Sequence, residues 1–97
     1  MRRAAKVDAN QGDMVAALRK LGFTVEPLHA VGGGVPDLML GRGGRNYLVE
    51  VKDGSKPPSA RKLTPAQVDW HAAWRGSVHV FADIETAIEW AKSEMTQ

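Results

Sequence analysis

Two apolar runs, residues 36–41 and 46–52, flank Arg42-Gly43-Gly44-Arg45, and together they dictate a β-hairpin. Gly-Gly supplies the positive φ that both central positions of a two-residue hairpin turn require. If the hairpin is symmetric about Gly43 and Gly44, paired positions sum to 87. Asp37, which opens the first strand, then faces Glu50, with Cβ atoms about 4.5–5.5 Å apart. Side chains alternate along a strand, so Lys52 projects on the same face as Glu50. Three charged groups thus converge at one end of one hairpin.

Charges within apolar strands are costly to bury unless something compensates them. Two bare carboxylates that close repel, so a proton or a cation must lie between them. A divalent cation held by Asp37 and Glu50 is the expected partner, with the backbone carbonyl of Val51 as a further oxygen and waters completing the octahedron that Mg²⁺ prefers. Beside such a site, Lys52 is expected to hold the attacking water or to neutralise charge developing on a phosphate. The other reading of the pair is two strand-edge carboxylates held by backbone amides or an arginine.

The chain of 97 residues suits one domain with a single modest core. Its 43% hydrophobic and 25% charged residues are ordinary for a globular protein. The absence of cysteine rules out a disulfide framework, a thiolate metal site and a cysteine nucleophile, and fits a reducing compartment. No apolar run approaches the roughly 20 residues a membrane helix needs, and no signal-peptide pattern follows Met1. The net charge of +2 is unevenly placed. Arg42, Arg45, Lys52, Lys56, Arg61 and Lys62 stand against Glu50 and Asp53 in the middle of the chain. Arg2, Arg3, Lys6, Arg19 and Lys20 outnumber Asp8 and Asp13 at its start, and acids prevail after Leu63. A basic front beside the carboxylates suits a polyanion, although a merely solvated surface has the same composition.

Along the chain, a helix is expected over about 10–21, with Gln11, Met14, Val15, Leu18 and Leu21 on one stripe and Gly22 as its stop. A strand follows over 23–28, then a glycine-rich loop over 29–35 and the hairpin. The segment 53–63 reads as a polar, Pro-containing loop. Thr64-Pro65 starts a second helix, with Thr as N-cap and Pro in the first turn, ending near Gly76. Val78–Phe81 is a short strand. Asp83 caps a last helix with Ile84, Ala87, Ile88, Ala91 and Met95 on its apolar face. The order αβββαβα predicts an α/β domain. Both faces of the hairpin strands are rich in apolar residues, so helices are expected on each side of the sheet.

Further site candidates follow from placement. Gln11 lies on the apolar stripe of the first helix and should point toward the sheet, where it could meet a water of the cation. Gln67 begins a stripe shared with Trp70, His71 and Trp74 and could reach the site or a phosphate, whereas Trp70 and Trp74 read as core residues. Asp13 falls on a polar helix face. Gly32-Gly33-Gly34 lacks the Lys-Ser/Thr ending of a nucleotide loop and reads as a flexible segment that lets DNA approach Asp37. His29 and His79 read as structural, and no histidine spacing indicates a zinc site.

Pro36-Asp37, twelve intervening residues and Glu50-Val51-Lys52 resemble the PD-(D/E)XK nuclease signature. Gly34-Val35-Pro36-Asp37, the helix start Leu63-Thr64-Pro65-Ala66-Gln67-Val68-Asp69-Trp70-His71 and the small size resemble its VRR-NUC branch, especially stand-alone phage and bacterial members. The resemblance covers about residues 8–81. It implies a restriction-endonuclease-like αβββαβ core, with a mixed central sheet flanked by helices and here a C-terminal helix. It also implies a Mg²⁺- or Mn²⁺-dependent DNA endonuclease, homodimeric, acting on branched DNA such as Holliday junctions in the cytoplasm of a bacterial or phage-infected cell. Asp37 and Glu50 match the metal ligands, Lys52 the catalytic lysine and Gln67 the glutamine of the following helix. One departure is that many relatives carry a glutamate on the first helix where this chain has Gln11.

The expected reaction is hydrolysis of a DNA phosphodiester by in-line attack of water, with Arg42, Arg45, Lys56, Arg61 and Lys62 gripping backbone phosphates. Nothing resembles a base-reading module, so DNA structure is expected to select the substrate. Symmetric cutting of a junction by so small a domain would call for two copies related by a two-fold axis. Two other readings compete. One is a non-catalytic DNA-binding module of the same fold, in which Gln11 has weakened the chemistry. The other is a structural α/β domain whose carboxylates are merely paired.

Overall fold

The computed structural model describes residues 9–96; Arg2, Arg3, Lys6 and Asp8 lie outside the described residues. Helix α1 spans Gln11–Lys20, and Gly22 follows it with φ +93°. Strands β1 (Thr24–Pro27), β2 (Leu38–Arg42) and β3 (Arg45–Val51) come next. A short 3₁₀ turn at Pro58–Ala60 interrupts the long polar loop. Helix α2 (Pro65–Ala73), strand β4 (Val78–Phe81) and helix α3 (Ile84–Met95) complete the chain. The order is the expected one, and only the 3₁₀ turn is additional.

The sheet runs β1-β2-β3-β4. The first three strands are antiparallel and β4 joins β3 in parallel, so the sheet is mixed. Gly43 and Gly44 take φ values of 60° and 78°, and Arg42 pairs with Arg45. Leu40↔Tyr47 and Leu38↔Val49 follow, which is the register summing to 87. A slip of one residue would have turned every side chain over.

That register sorts the two faces. Leu38, Leu40, Val49, Val51 and Phe81 are buried on one face against Met14, Val15 and Leu18 of α1 and Ala87 and Ala91 of α3. Small Ala87 and Ala91 let α3 lie close to the sheet. Trp90, whose place in the core the apolar stripe did not reveal, packs among Phe23, Tyr47, His79 and Phe81 with ring centroids 4.8–5.8 Å away. Met95, expected on the same face, is 36% exposed in the last turn of α3.

The opposite face carries Asp37, Met39, Leu48, Glu50 and Lys52 by alternation. Coverage there is unequal to the first face. Helix α2 meets this side with its first turn, has no buried residue, and leaves Met39 41% and Val80 47% exposed. Trp70 and Trp74 are therefore not core residues. They stack on each other, with centroids 4.8 Å apart and planes at 18°, and Trp74 is 47% exposed. The reason is that α2 docks by its amino end rather than by its aromatic stripe.

That docking explains Gly34. Its φ is +85°, and a Cβ there would collide with the carbonyl of Ala66 in the first turn of α2. Only glycine combines this backbone with so close an approach. Gly34 thus serves as a packing point for α2, a role different from the flexibility expected of the loop. No helix among the described residues is long and apolar enough to cross a membrane.

Candidate active site

Four polar or charged side chains are buried among the described residues: Gln11 at 4% exposure, Asp37 at 4%, Glu50 at 1% and Lys52 at 8%. A globular core rarely tolerates such groups unless they are paired. Asp37, Glu50 and Lys52 lie toward the end of the sheet remote from the hairpin turn, and Gln11 begins α1.

One step beyond Leu38↔Val49 in the hairpin register lie Asp37 and Glu50. The amide of Val51 donates to Oδ2 of Asp37 at 2.7 Å, which clamps that carboxylate against β3. Val51 itself is a core residue, its side chain fully buried on the opposite face. Its backbone thus holds Asp37 while its side chain anchors the strand. The Asp37 carbonyl accepts from Leu28 at 2.7 Å, tying the residue to the end of β1 as well. Pro36, fully buried and without an amide proton, sets the entry into β2.

Lys52 continues β3 alongside β4, its amide donating to the Phe81 carbonyl at 2.9 Å. Its Nζ lies 3.9 Å from Oε2 of Glu50 and donates to Oε1 of Gln67 at 2.7 Å. Nε2 of Gln67 donates to Oε2 of Glu50 at 3.1 Å. One amide therefore bridges the ammonium and the carboxylate, its oxygen toward the positive group and its nitrogen toward the negative one. Gln67 is also the N3 residue of α2. Its Oε1 accepts from the Thr64 amide at 2.9 Å, and its own amide donates to Oγ1 of Thr64 at 3.3 Å. This capping box fixes the glutamine side chain before it reaches the site. The sequence spacing Thr64-x-x-Gln67 signals the box; that the same amide would reach Lys52 and Glu50 becomes visible only with the sheet in place.

Asn10 is a positioning residue the sequence reading missed. Its Nδ2 donates to the carbonyls of Lys52 at 2.9 Å and Ala82 at 3.2 Å, pinning the start of α1 to the ends of β3 and β4. This places the next residue, Gln11, beside the same end of the sheet. The Oε1 of Gln11 is buried and accepts no hydrogen bond. The pKa of His71, one turn beyond Gln67, is lowered from the ordinary histidine value by burial and then by the nearby Lys52 charge.

The proposed phosphate-gripping residues are dispersed. Arg42 and Arg45 sit at the hairpin turn, five residues or about 16 Å along the strand from Asp37 and Glu50. Arg42 lies over the Phe23 ring with Cζ 5.8 Å from its centroid, and Arg45 approaches Glu94 at 4.0 Å. Both therefore lean toward the α1–α3 side. Lys56 and Lys62 are exposed on the 53–63 loop, and Arg61 is half-buried beside Asp83.

The two buried carboxylates are oxygen donors of the kind a hard divalent cation takes. Among the described residues no group of three or more His, Cys, Asp or Glu clusters as a metal site. Comparisons with protein families, with curated proteins and with solved structures returned no match.

Proposed function

We propose that the chain is a metal-dependent DNA endonuclease of restriction-endonuclease-like fold, hydrolysing phosphodiesters at the Asp37–Glu50–Lys52 site. The observation that carries this reading is the burial of Glu50 and Lys52 in one network with Gln67, beside a buried Asp37 that the hairpin register sets opposite Glu50. A fold gains little from burying two carboxylates and an ammonium for stability alone, because apolar replacements are often neutral or better. Chemistry is the more economical reason for keeping them.

Asp37 and Glu50 would hold Mg²⁺ or Mn²⁺. When bound, the ion would polarise a phosphate oxygen and lower the pKa of a coordinated water. Lys52 would stabilise negative charge developing on the phosphorus centre. Gln67 holds the ammonium in place, which matters because positioning alone can contribute several kcal/mol to a rate. Val51 holds Asp37 through its amide and would offer its carbonyl as a further ligand. Gln11 would receive a hydrogen bond from a water of the cation. Lys56, Arg61 and Lys62 on the adjacent loop would meet backbone phosphates, whereas Arg42 and Arg45, turned toward the α1–α3 side, stand apart from that grip. Such contacts do not read sequence, so branched DNA is the proposed substrate and a homodimer the proposed assembly.

The test is to incubate the protein with four-way junction, flap and linear duplex DNA in Mg²⁺, Mn²⁺ or EDTA, with Asp37→Asn and Lys52→Ala as controls. Cleavage of branched substrates that needs the cation and both residues is expected. Binding without product in either cation would instead favour a non-catalytic DNA-binding module, the reading that the neutral amide at Gln11 supports.

A further inference from the structure

Gln67 in the first turn of helix α2 lies at the site, and Trp74, which caps the other end of the helix, is about 10 Å further along its axis. The hairpin leaves the site in the same sense. Met39 and Leu48 pair across it, two residues or about 7 Å from Asp37 and Glu50 and on the same face. Between Trp74 and this Met39–Leu48 pair lies a groove of about 350 Å³. Asn46 and Ser77 contribute polar groups to it, and none of its lining residues is charged.

Trp74 is prepared in a way a casually exposed tryptophan is not. Its ring is stacked against Trp70 at 4.8 Å, so one face is already supported. The chain at Gly76 closes on its edge, where a Cβ would lie 2.7 Å from Nε1. The indole is thus held flat by neighbours yet remains 47% exposed. A fixed, supported aromatic face is what a nucleobase stacks on, and every base offers a π-face regardless of sequence.

We infer that this groove receives an unstacked nucleobase flanking the phosphate held at Asp37, Glu50 and Lys52. The inference rests on the nuclease reading and sharpens it. The preferred substrate has an unpaired nucleotide next to the cut, as at a flap or junction, and Trp74 is the residue that selects it. Asn46 and Ser77 can meet the polar edge of any base, and Arg75, exposed beside Trp74, adds positive charge for the backbone leading in. The absence of acidic lining suits a polyanion passing over the groove.

The experiment titrates the full-length Asp37→Asn chain, in EDTA, with oligothymidylate and with an abasic oligomer of equal length, following tryptophan fluorescence. Oligothymidylate should quench the emission and bind at least about tenfold tighter than the abasic strand. Trp74→Ala should abolish that preference and Trp74→Phe should retain most of it. Circular dichroism checks each fold, and the base-versus-abasic comparison on the chain with Trp74 intact decides even if Trp74→Ala does not fold. Equal binding of the two strands would overturn the inference. So would a preference that survives Trp74→Ala, or a dimer that Trp74→Ala converts to monomer with the preference intact, since a second copy would then cover this face. These readouts need no cleavage. Failure of the wild-type chain to cut DNA in Mg²⁺ or Mn²⁺ is a separate result, against the nuclease reading.

Discussion

Lys52 touches both partners that matter, Glu50 and Gln67. If it stabilises charge in the reaction, Lys52→Ala should lower the cleavage rate about 10²–10³-fold, the usual cost of removing one well-placed donor. Substrate affinity should change far less, which steady-state kinetics would separate. Gln67→Leu tests the bridge. It strips Lys52 and Glu50 of their shared amide and opens the capping box, and a buried polar group left unsatisfied costs about 1–3 kcal/mol. Urea denaturation should register that loss. Asp37→Asn has the opposite sign in EDTA. It removes one of two buried like charges while its amide oxygen can still accept from Val51, so the melting temperature should rise.

The site depends on how α2 is seated. Gly34→Ala should destabilise the fold by more than about 1 kcal/mol, since it introduces both a strained φ and a clash with the Ala66 carbonyl. It should also lower activity by lifting Gln67 from Lys52. At the other helix, Asp83 caps α3 by accepting from the Thr86 amide at 2.7 Å, and that bond holds its carboxyl below the usual aspartate range. Hydrogen bonds from the Ser55 hydroxyl and then its amide do the same for Asp53. Both pKa values are lower folded than unfolded, so their contribution is present above roughly pH 3.9 and lost as pH falls through the folded values. His71 adds to this from higher pH. Its folded pKa is depressed, so the unfolded chain takes up a proton first and stability declines below about pH 6.5. Stability measured by urea titration should therefore fall steadily on acidification. The hairpin register and the meeting of Asp37, Glu50 and Lys52 were legible because a two-residue turn and strict alternation leave one solution. The place of Trp70 and Trp74 outside the core was not. A helical stripe reports only that a face is apolar, whereas the seat of α2 is decided by Gly34, Thr64 and Gln67 at its other end. The lean of Arg42 onto Phe23 was hidden for a similar reason, since a long flexible side chain finds its partner only in three dimensions.

The molecule as a whole has one closed face and one partly open face. Helices α1 and α3 seal the first around the core, and the second keeps the charged network at one end and an apolar groove beside it. DNA held through backbone phosphates along this face should bind more weakly as salt rises, in a linear log–log relation whose slope counts the phosphates neutralised. Lys56→Ala or Lys62→Ala should reduce that slope by about one each if both touch DNA, as filter or fluorescence binding would show. All of this rests on the buried carboxylates taking a divalent cation, and titrating Mn²⁺ into the protein without DNA addresses that point most directly. The account predicts saturable binding of one ion per chain, added stability of about 2.7 kcal/mol at a hundredfold excess over the dissociation constant, seen as a raised melting temperature, and loss of both in Asp37→Asn. A wild-type chain that binds no Mn²⁺, or one whose binding is unchanged by Asp37→Asn, would contradict it.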